Sequence, residues 1–159
     1  MIRGVAIKPE PEGQPRASLG RLGKTVGFRM RRVQIQFSNS FAAKTAEYGM
    51  RSGLFSSLAI ISGNPGMSQQ ELSRVVGLDK SVTVQIVDEL ENRGFARRER
   101  SKIDRRRHSL KVTPDGEAFI DKMFAIVGDV EDEAMQHLSA AERASLHELL
   151  DRMYDILAR

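Results

Sequence analysis

Between Ser68 and Val112 the hydrophobic period changes from helical to two-residue, and a capping residue or a glycine marks each junction. Ser68-Gln69-Gln70-Glu71 has the S-x-x-E form of a capping box. In such a box the Ser hydroxyl accepts from an orphan amide of the first turn and the Glu reaches back to the Ser amide. This predicts a short helix over Gln69–Val76, stopped by Gly77. Asp79 predicts the cap of a second helix, which carries Val82, Ile86, Val87 and Leu90 and ends at Gly94. Two capped helices joined by a glycine-containing turn form a helix-turn-helix.

After Gly94 the alternation is that of strands. Phe95, Arg97 and Glu99 alternate with Ala96, Arg98 and Arg100; His108, Leu110 and Val112 alternate with Ser109, Lys111 and Thr113. The connecting segment Ser101-Lys102-Ile103-Asp104-Arg105-Arg106-Arg107 makes this a β-hairpin with a basic tip. A helix-turn-helix followed by a basic hairpin is a winged helix. One helix fits a major groove of about 12 Å, and the hairpin lies where it can meet phosphates or the minor groove. Phosphate contacts position such a protein and base-edge contacts read sequence.

The charge distribution agrees. The net charge is only +4, but residues 93–111 hold nine basic and two acidic residues, whereas 112–159 hold four basic and eleven acidic. An isolated basic run is commonly a solvated loop; behind a helix-turn-helix it becomes a patch for a polyanion.

The flanks read as helical. Residues 1–17 are rich in Pro and Gly with no apolar period, the composition of a flexible tail. From there Leu19, Leu22, Val26, Met30, Val33, Phe37 and Phe41 recur at spacings of three and four, predicting one long helix that stops near Tyr48-Gly49. A second helix is expected from about Ser52 to Ser62, broken by Gly63-Asn64-Pro65-Gly66. Thr113-Pro114-Asp115 is a helix start, and Ser139-Ala140-Ala141-Glu142 is a second capping box ahead of the last helix. The expected fold is mainly α with a small β-hairpin wing. Its winged-helix lobe spans 50–116, and helical regions at 18–48 and 117–159 serve dimerisation. Few elements are available to cover Leu19, Leu22 and Val26, or Leu146, Leu149, Leu150 and Met153 of the last helix. A second copy of the chain is the simpler cover.

Several classes fall away. There is no Cys, so disulfides, thiolate zinc sites and cysteine nucleophiles are excluded. The only His are His108, His137 and His147, and no metal-ligand cluster is expected. The most apolar run, Leu54–Ile61, is far shorter than the ~20 residues of a membrane span. No nucleophile elbow or phosphate-cradling loop is present. The expectation is a cytoplasmic, non-enzymatic protein with no cofactor and no membrane partner.

At this level of detail the chain resembles the MarR family of bacterial transcriptional regulators. The resemblance rests on Gly66–Ser73, on Gly77-Leu78-Asp79-Lys80-Ser81, on Val87–Phe95, on the wing Asp104-Arg105-Arg106 and on the exit Val112–Gly116, and it covers about 18–158. It implies a homodimer built from the first and last helices, and operator DNA read by the helix 80–93. It also implies a small-ligand pocket. On this basis Ser68, Gln69, Lys80 and Ser81 are expected at the DNA, with Arg97, Arg98, Arg105, Arg106 and Arg107 from the wing. Asp104 is expected to orient Arg106.

The chain departs from the family where Val82, Thr83, Val84 and Gln85 follow the D-K-S segment. If the helix phase holds, Val82 and Val84 face DNA and suit thymine methyls, while Gln85 suits adenine. The basic cluster Arg21, Lys24, Arg29, Arg31 and Arg32 is either a solvated helix face or a seat for an anion. Relatives that sense aromatic carboxylates or aromatic acyl-CoA thioesters imply an aromatic, anionic effector. The candidate contacts are Arg29, Arg32, Phe37, Ser40, Phe41 and Phe55. The expected function is a repressor released from a pseudo-palindromic operator by that effector; the alternative is an architectural nucleic-acid-binding winged helix without effector.

Overall fold

The computed structural model describes residues 18–50, 53–100 and 108–157. Among them are six α-helices and one antiparallel hairpin: α1 Val26–Lys44, α2 Leu54–Gly63, α3 Gln69–Val76, α4 Lys80–Asn92, β1 Ala96–Arg100, β2 His108–Val112, α5 Pro114–Met135 and α6 Ala140–Leu157. The chain divides into two compact units. One takes Lys44–Asp129; the other takes the residues up to Ala43 and from Val130 onward.

The Lys44–Asp129 unit is built on an apolar core. α2 buries Leu54, Ser57, Leu58 and Ile61, the i, i+3, i+4, i+7 positions of one helical face. Leu72 comes from α3, and Ile86, Val87 and Leu90 come from α4; all are at most 1% exposed. Burying each such side chain stabilises the fold by about 1.5–3 kcal/mol. Thr83 occupies a core position of α4, and its hydroxyl donates to the Asp79 carbonyl at 3.0 Å, so this hydroxyl is satisfied.

The helix boundaries follow local chemistry. The Ser68–Glu71 capping box forms in full. Gly77 ends α3 at φ +70°, a left-handed conformation that favours glycine. Asp79 occupies the cap position of α4, but its side chain makes no capping bond. Its carbonyl instead takes both the amide and the hydroxyl of Thr83, so the backbone closes the first turn.

The hairpin pairs Ala96 with Val112 and Arg98 with Leu110, so these four share one face. Ala96 and Leu110 are buried on the core. The outer edge of β2 is also paired: the Leu110 amide donates to Met67, and the Gly66 amide donates to Leu110, at 2.8 and 3.0 Å. Beyond β2, the Thr113 hydroxyl donates to the Gly94 carbonyl at 2.6 Å and accepts from the Gly116 amide at 3.1 Å, capping α5. Phe95 stacks on Phe119 at 4.4 Å between ring centres. This brings the first turn of α5 so close to the chain leaving α4 that a Cβ on Gly116 would lie 2.1 Å from the Phe95 carbonyl oxygen.

The helical unit differs from expectation at its start. The apolar spacing from Leu19 predicts one continuous helix, but a 3-10 turn over Gly20–Lys24 ends at Thr25, whose backbone is extended. The Thr25 amide and hydroxyl both donate to the Leu22 carbonyl, at 3.0 and 2.8 Å, closing that turn. Three glycines at 20, 23 and 27 weaken the helix across the break. A second 3-10 turn, Ala46–Tyr48, follows α1 and ends at Gly49. The next helix begins at Leu54 rather than Ser52, after Gly53 at φ +84°.

In α6 the Ser139 hydroxyl and amide both donate to Glu142, at 2.7 and 2.8 Å, and hold its carboxyl below the usual value. A lowered carboxyl pKa means the cap stabilises the folded chain at neutral pH and is lost as pH falls through that lowered value. Arg143 donates to the Met135 and Leu138 carbonyls and closes the end of α5. No helix among the described residues is long and apolar enough to cross a membrane.

The Gly116 contact is backbone against backbone, so a side chain cannot relieve it by changing rotamer. Gly116→Ala is expected to destabilise the protein by about 1–3 kcal/mol or more, seen as a lower urea midpoint at unchanged m-value.

Candidate nucleic-acid interface and ligand cavity

The buried stripe of α4 determines which face remains outside. With ~100° between residues, Ser81, Gln85 and Asp88 lie opposite Thr83, Ile86 and Leu90, and all three are exposed. Val82 and Val84 are exposed on the two flanks of that face, at 37% and 43%. Both thus lie on the outside of α4, as the helix phase predicts. Lys80 and Val84, with Gln69 and Gln70 at the start of α3, line a groove of about 200 Å³. Ser68 lies at the same helix end, where its hydroxyl donates to Glu71 at 2.6 Å and accepts from the Glu71 amide.

The basic block divides into two populations. Arg97 points outward with Glu99 at 2.8 Å, an exposed pair of small energetic weight. Arg98, on the core-facing side of β1, does not extend into solvent. It is held by Asp88, Glu91 and Gln69. Arg93 is also turned inward, donating to the Tyr48 and Gly49 carbonyls at 2.7 and 2.9 Å and to Glu89. It thereby ties the end of α4 to the Ala46–Tyr48 turn. Asp104, Arg105, Arg106 and Arg107 lie outside the described residues.

Sequence reasoning included Arg93 in the basic block and placed Arg98 among the DNA contacts, with the strand alternation letting at most one of Arg97 and Arg98 face a given partner; it missed Asp88 and Glu91. The available signal was the pair of acids one turn apart on α4, next to a strand whose even positions face the core.

Of the six proposed effector contacts, Arg29, Arg32, Phe37 and Ser40 line one cavity of about 550 Å³ in the helical unit, together with Val33, Gln36, Val130, Glu133 and Ala134. Phe41 is half-buried on the same helix. Phe55 belongs to the other unit, where it packs edge-on against Phe124 at 5.1 Å. Of the basic cluster on α1, Arg29 and Arg32 are thus at a cavity wall.

Residues 52–108 match the MarR family profile. A "putative transcriptional regulatory protein for hcr operon" from Thauera aromatica is 36% identical over 136 residues, spanning 85% of this chain and 82% of that protein. The chain belongs to the MarR family. It is therefore a transcriptional regulator with a DNA-binding winged helix, not an enzyme. Among solved structures, the transcriptional repressor CouR bound to a 23-mer DNA duplex has a TM-score of 0.78 at 28% identity, covering 87% of this chain and 99% of that one. A probable transcriptional regulator from Pseudomonas aeruginosa gives 0.74 at 25% identity, covering 84% and 99%. MarR gives 0.77 at 22%, covering 85% and 92%, a likeness of fold.

Because Gln85 is exposed, Gln85→Ala is expected to change stability by no more than about 0.5 kcal/mol. It should relax discrimination at one base pair per half-site by about 1–3 kcal/mol. Parallel selection of duplexes by wild type and variant checks this.

Proposed function

We propose that this chain is a dimeric cytoplasmic repressor that holds a pseudo-palindromic operator and releases it when a small anionic aromatic molecule occupies the cavity of the helical unit. The observation that carries the DNA part is the exposed face of α4, with Gln85 at its centre and a valine on each flank, next to a basic hairpin. The likeness to a repressor bound to a DNA duplex supports it. Ser81, Val82, Val84 and Gln85 read or anchor bases. Lys80, Arg97 and the arginines of the wing tip neutralise phosphates.

Dimerisation is supported by what the helical unit leaves uncovered. Neither α1 nor α6 contains a buried residue, and Leu22, Val26, Leu149, Leu150 and Met153 are all exposed. Ile156 and Leu157 reach 71% and 81% exposure. Apolar surface of this extent is covered in stable proteins. Two recognition helices in a two-fold dimer meet successive major grooves when they stand about 34–36 Å apart, or a multiple of it.

The cavity supports the effector reading. About 550 Å³ is within the ordinary range of small-molecule sites. Two guanidiniums suit a carboxylate or an acyl-CoA phosphate; Phe37, Val33 and Val130 suit an aromatic ring. The effector lowers operator affinity only by its own preference for the DNA-incompetent state, typically about 1–3 kcal/mol, and DNA weakens the effector by the same factor.

Thermal-shift screening of aromatic acids and their CoA thioesters tests this directly, since a ligand at 100 times its Kd stabilises the native state by about 2.7 kcal/mol. Arg29→Ala should then abolish most of the shift and leave ligand-free operator binding intact; equal loss of both would assign Arg29 to the fold or the DNA. Leu149→Glu with Leu150→Glu should convert the protein to monomers in sedimentation and weaken operator binding in parallel.

A further inference from the structure

The root of the wing is clamped to the recognition helix through Arg98, with Glu91 as its two-point partner. Glu91, in the last turn of α4, accepts from the Arg98 backbone amide at 2.6 Å through Oε1 and from the Arg98 guanidinium through Oε2. The same guanidinium donates from Nη2 to Asp88 Oδ1 at 2.6 Å and from Nε to Gln69 Oε1 at 3.2 Å. One side chain of β1 is thus bonded to two turns of α4 and to the first residue of α3. Arg98 is 21% exposed and Glu91 is 30% exposed, so these charge-assisted bonds are partly shielded from water. The Gln69 amide is oriented by Arg98 at a cost: its Nε2 is buried without a hydrogen-bond partner.

This geometry sets the charge logic apart from the usual one. Each of the three guanidinium nitrogens of Arg98 commits an N–H to an acid or an amide: Nε to Gln69, Nη1 to Glu91 and Nη2 to Asp88. Its positive charge is offset by two carboxylates, so it adds no net attraction for phosphate. Asp88 lies on the exposed face of α4 at 52% exposure, where an acid would ordinarily repel DNA. Arg98 both neutralises it and holds it in place.

The geometry points to Glu91 and Arg98 as a positioning pair: they hold the wing and the reading face of α4 at the one spacing at which both engage the same duplex, so operator discrimination depends on an acid that touches no DNA. This rests on the DNA-binding reading above and assigns Arg98 a positioning role rather than a phosphate contact. Glu91→Asp keeps the charge and shortens the reach by one methylene. Glu91→Gln keeps the reach and removes the charge.

The test uses full-length protein, a duplex recovered by the wild type from a random pool, and a scrambled duplex of the same composition. Both variants are expected to lose roughly 5- to 150-fold on the selected duplex, the equivalent of one good base contact. Affinity for the scrambled duplex should be unchanged for Glu91→Asp and unchanged or raised for Glu91→Gln, and the salt slope on the selected duplex should be unaltered. Glu91→Gln binding both duplexes more tightly by the same factor would show charge alone at work and overturn the pair's role. A salt slope reduced by about one phosphate per protomer in Arg98→Gln, with discrimination intact, would make Arg98 a phosphate ligand and overturn it equally. Should the Glu91 variants melt below the assay temperature, Arg98→Gln carries the test; loss of discrimination at an unaltered salt slope supports the clamp and wild-type discrimination overturns it. A wild type that recovers no preferred sequence refutes the DNA-reading premise itself, an outcome distinct from any of these.

Discussion

Burial of Thr83, Ile86, Val87 and Leu90 against α2 and α3 fixes the rotation of α4 about its own axis, and the outward geometry follows from that rotation. A helix that turned by one residue would place a valine where Gln85 stands and strand Gln85 in the core. The unpaired amide would then cost about 1–3 kcal/mol, in addition to the lost apolar burial. The same core receives Ala96 and Leu110 from the hairpin, so one hydrophobic cluster orients both the reading helix and the wing root. Thr83 is compatible with this because its hydroxyl is satisfied within its own helix.

Electrostatics then refines what packing has placed. Arg93 and Arg98 belong to the most basic stretch of the chain, yet both serve as internal ties. Arg93 holds the carbonyls that end a 3-10 turn, and Arg98 holds carboxylates of α4. A basic patch read as a sum of charges therefore overstates the charge available to a polyanion. Among the described residues, Lys80 on α4, Arg97 with its Glu99 partner, and Lys111 on β2 do remain outward.

The helical unit follows a different principle. Its helices have well-made ends, with a full set of Ser139–Glu142 bonds and Arg143 on the α5 carbonyls. Its apolar side chains stay exposed all the same. Local capping makes helices; it does not cover their faces. A cavity between α1 and the end of α5, with two arginines on its wall, sits in the part of the molecule with the least buried surface. Few buried contacts are what a segment needs if a ligand is to shift it.

The amino-acid sequence by itself determined the order of elements, the helix-turn-helix, the hairpin and the phase of α4. These depend on capping boxes, glycine stops and apolar periods, all of which act within a few residues. It also placed Arg29, Arg32, Phe37 and Ser40 on one helix at spacings that share a face. It misplaced the start of the first helix, because Thr25 turns back on Leu22 through a hydroxyl bond that an apolar pattern does not register. Tertiary structure alone decided which arginines face inward, that Phe55 packs on Phe124 in a different unit from Phe37, and that Gly116 must have no side chain. Each of these depends on groups far apart in the chain meeting at 2–5 Å, where hydrogen-bond direction and hard-core repulsion act and where periodicity carries no information.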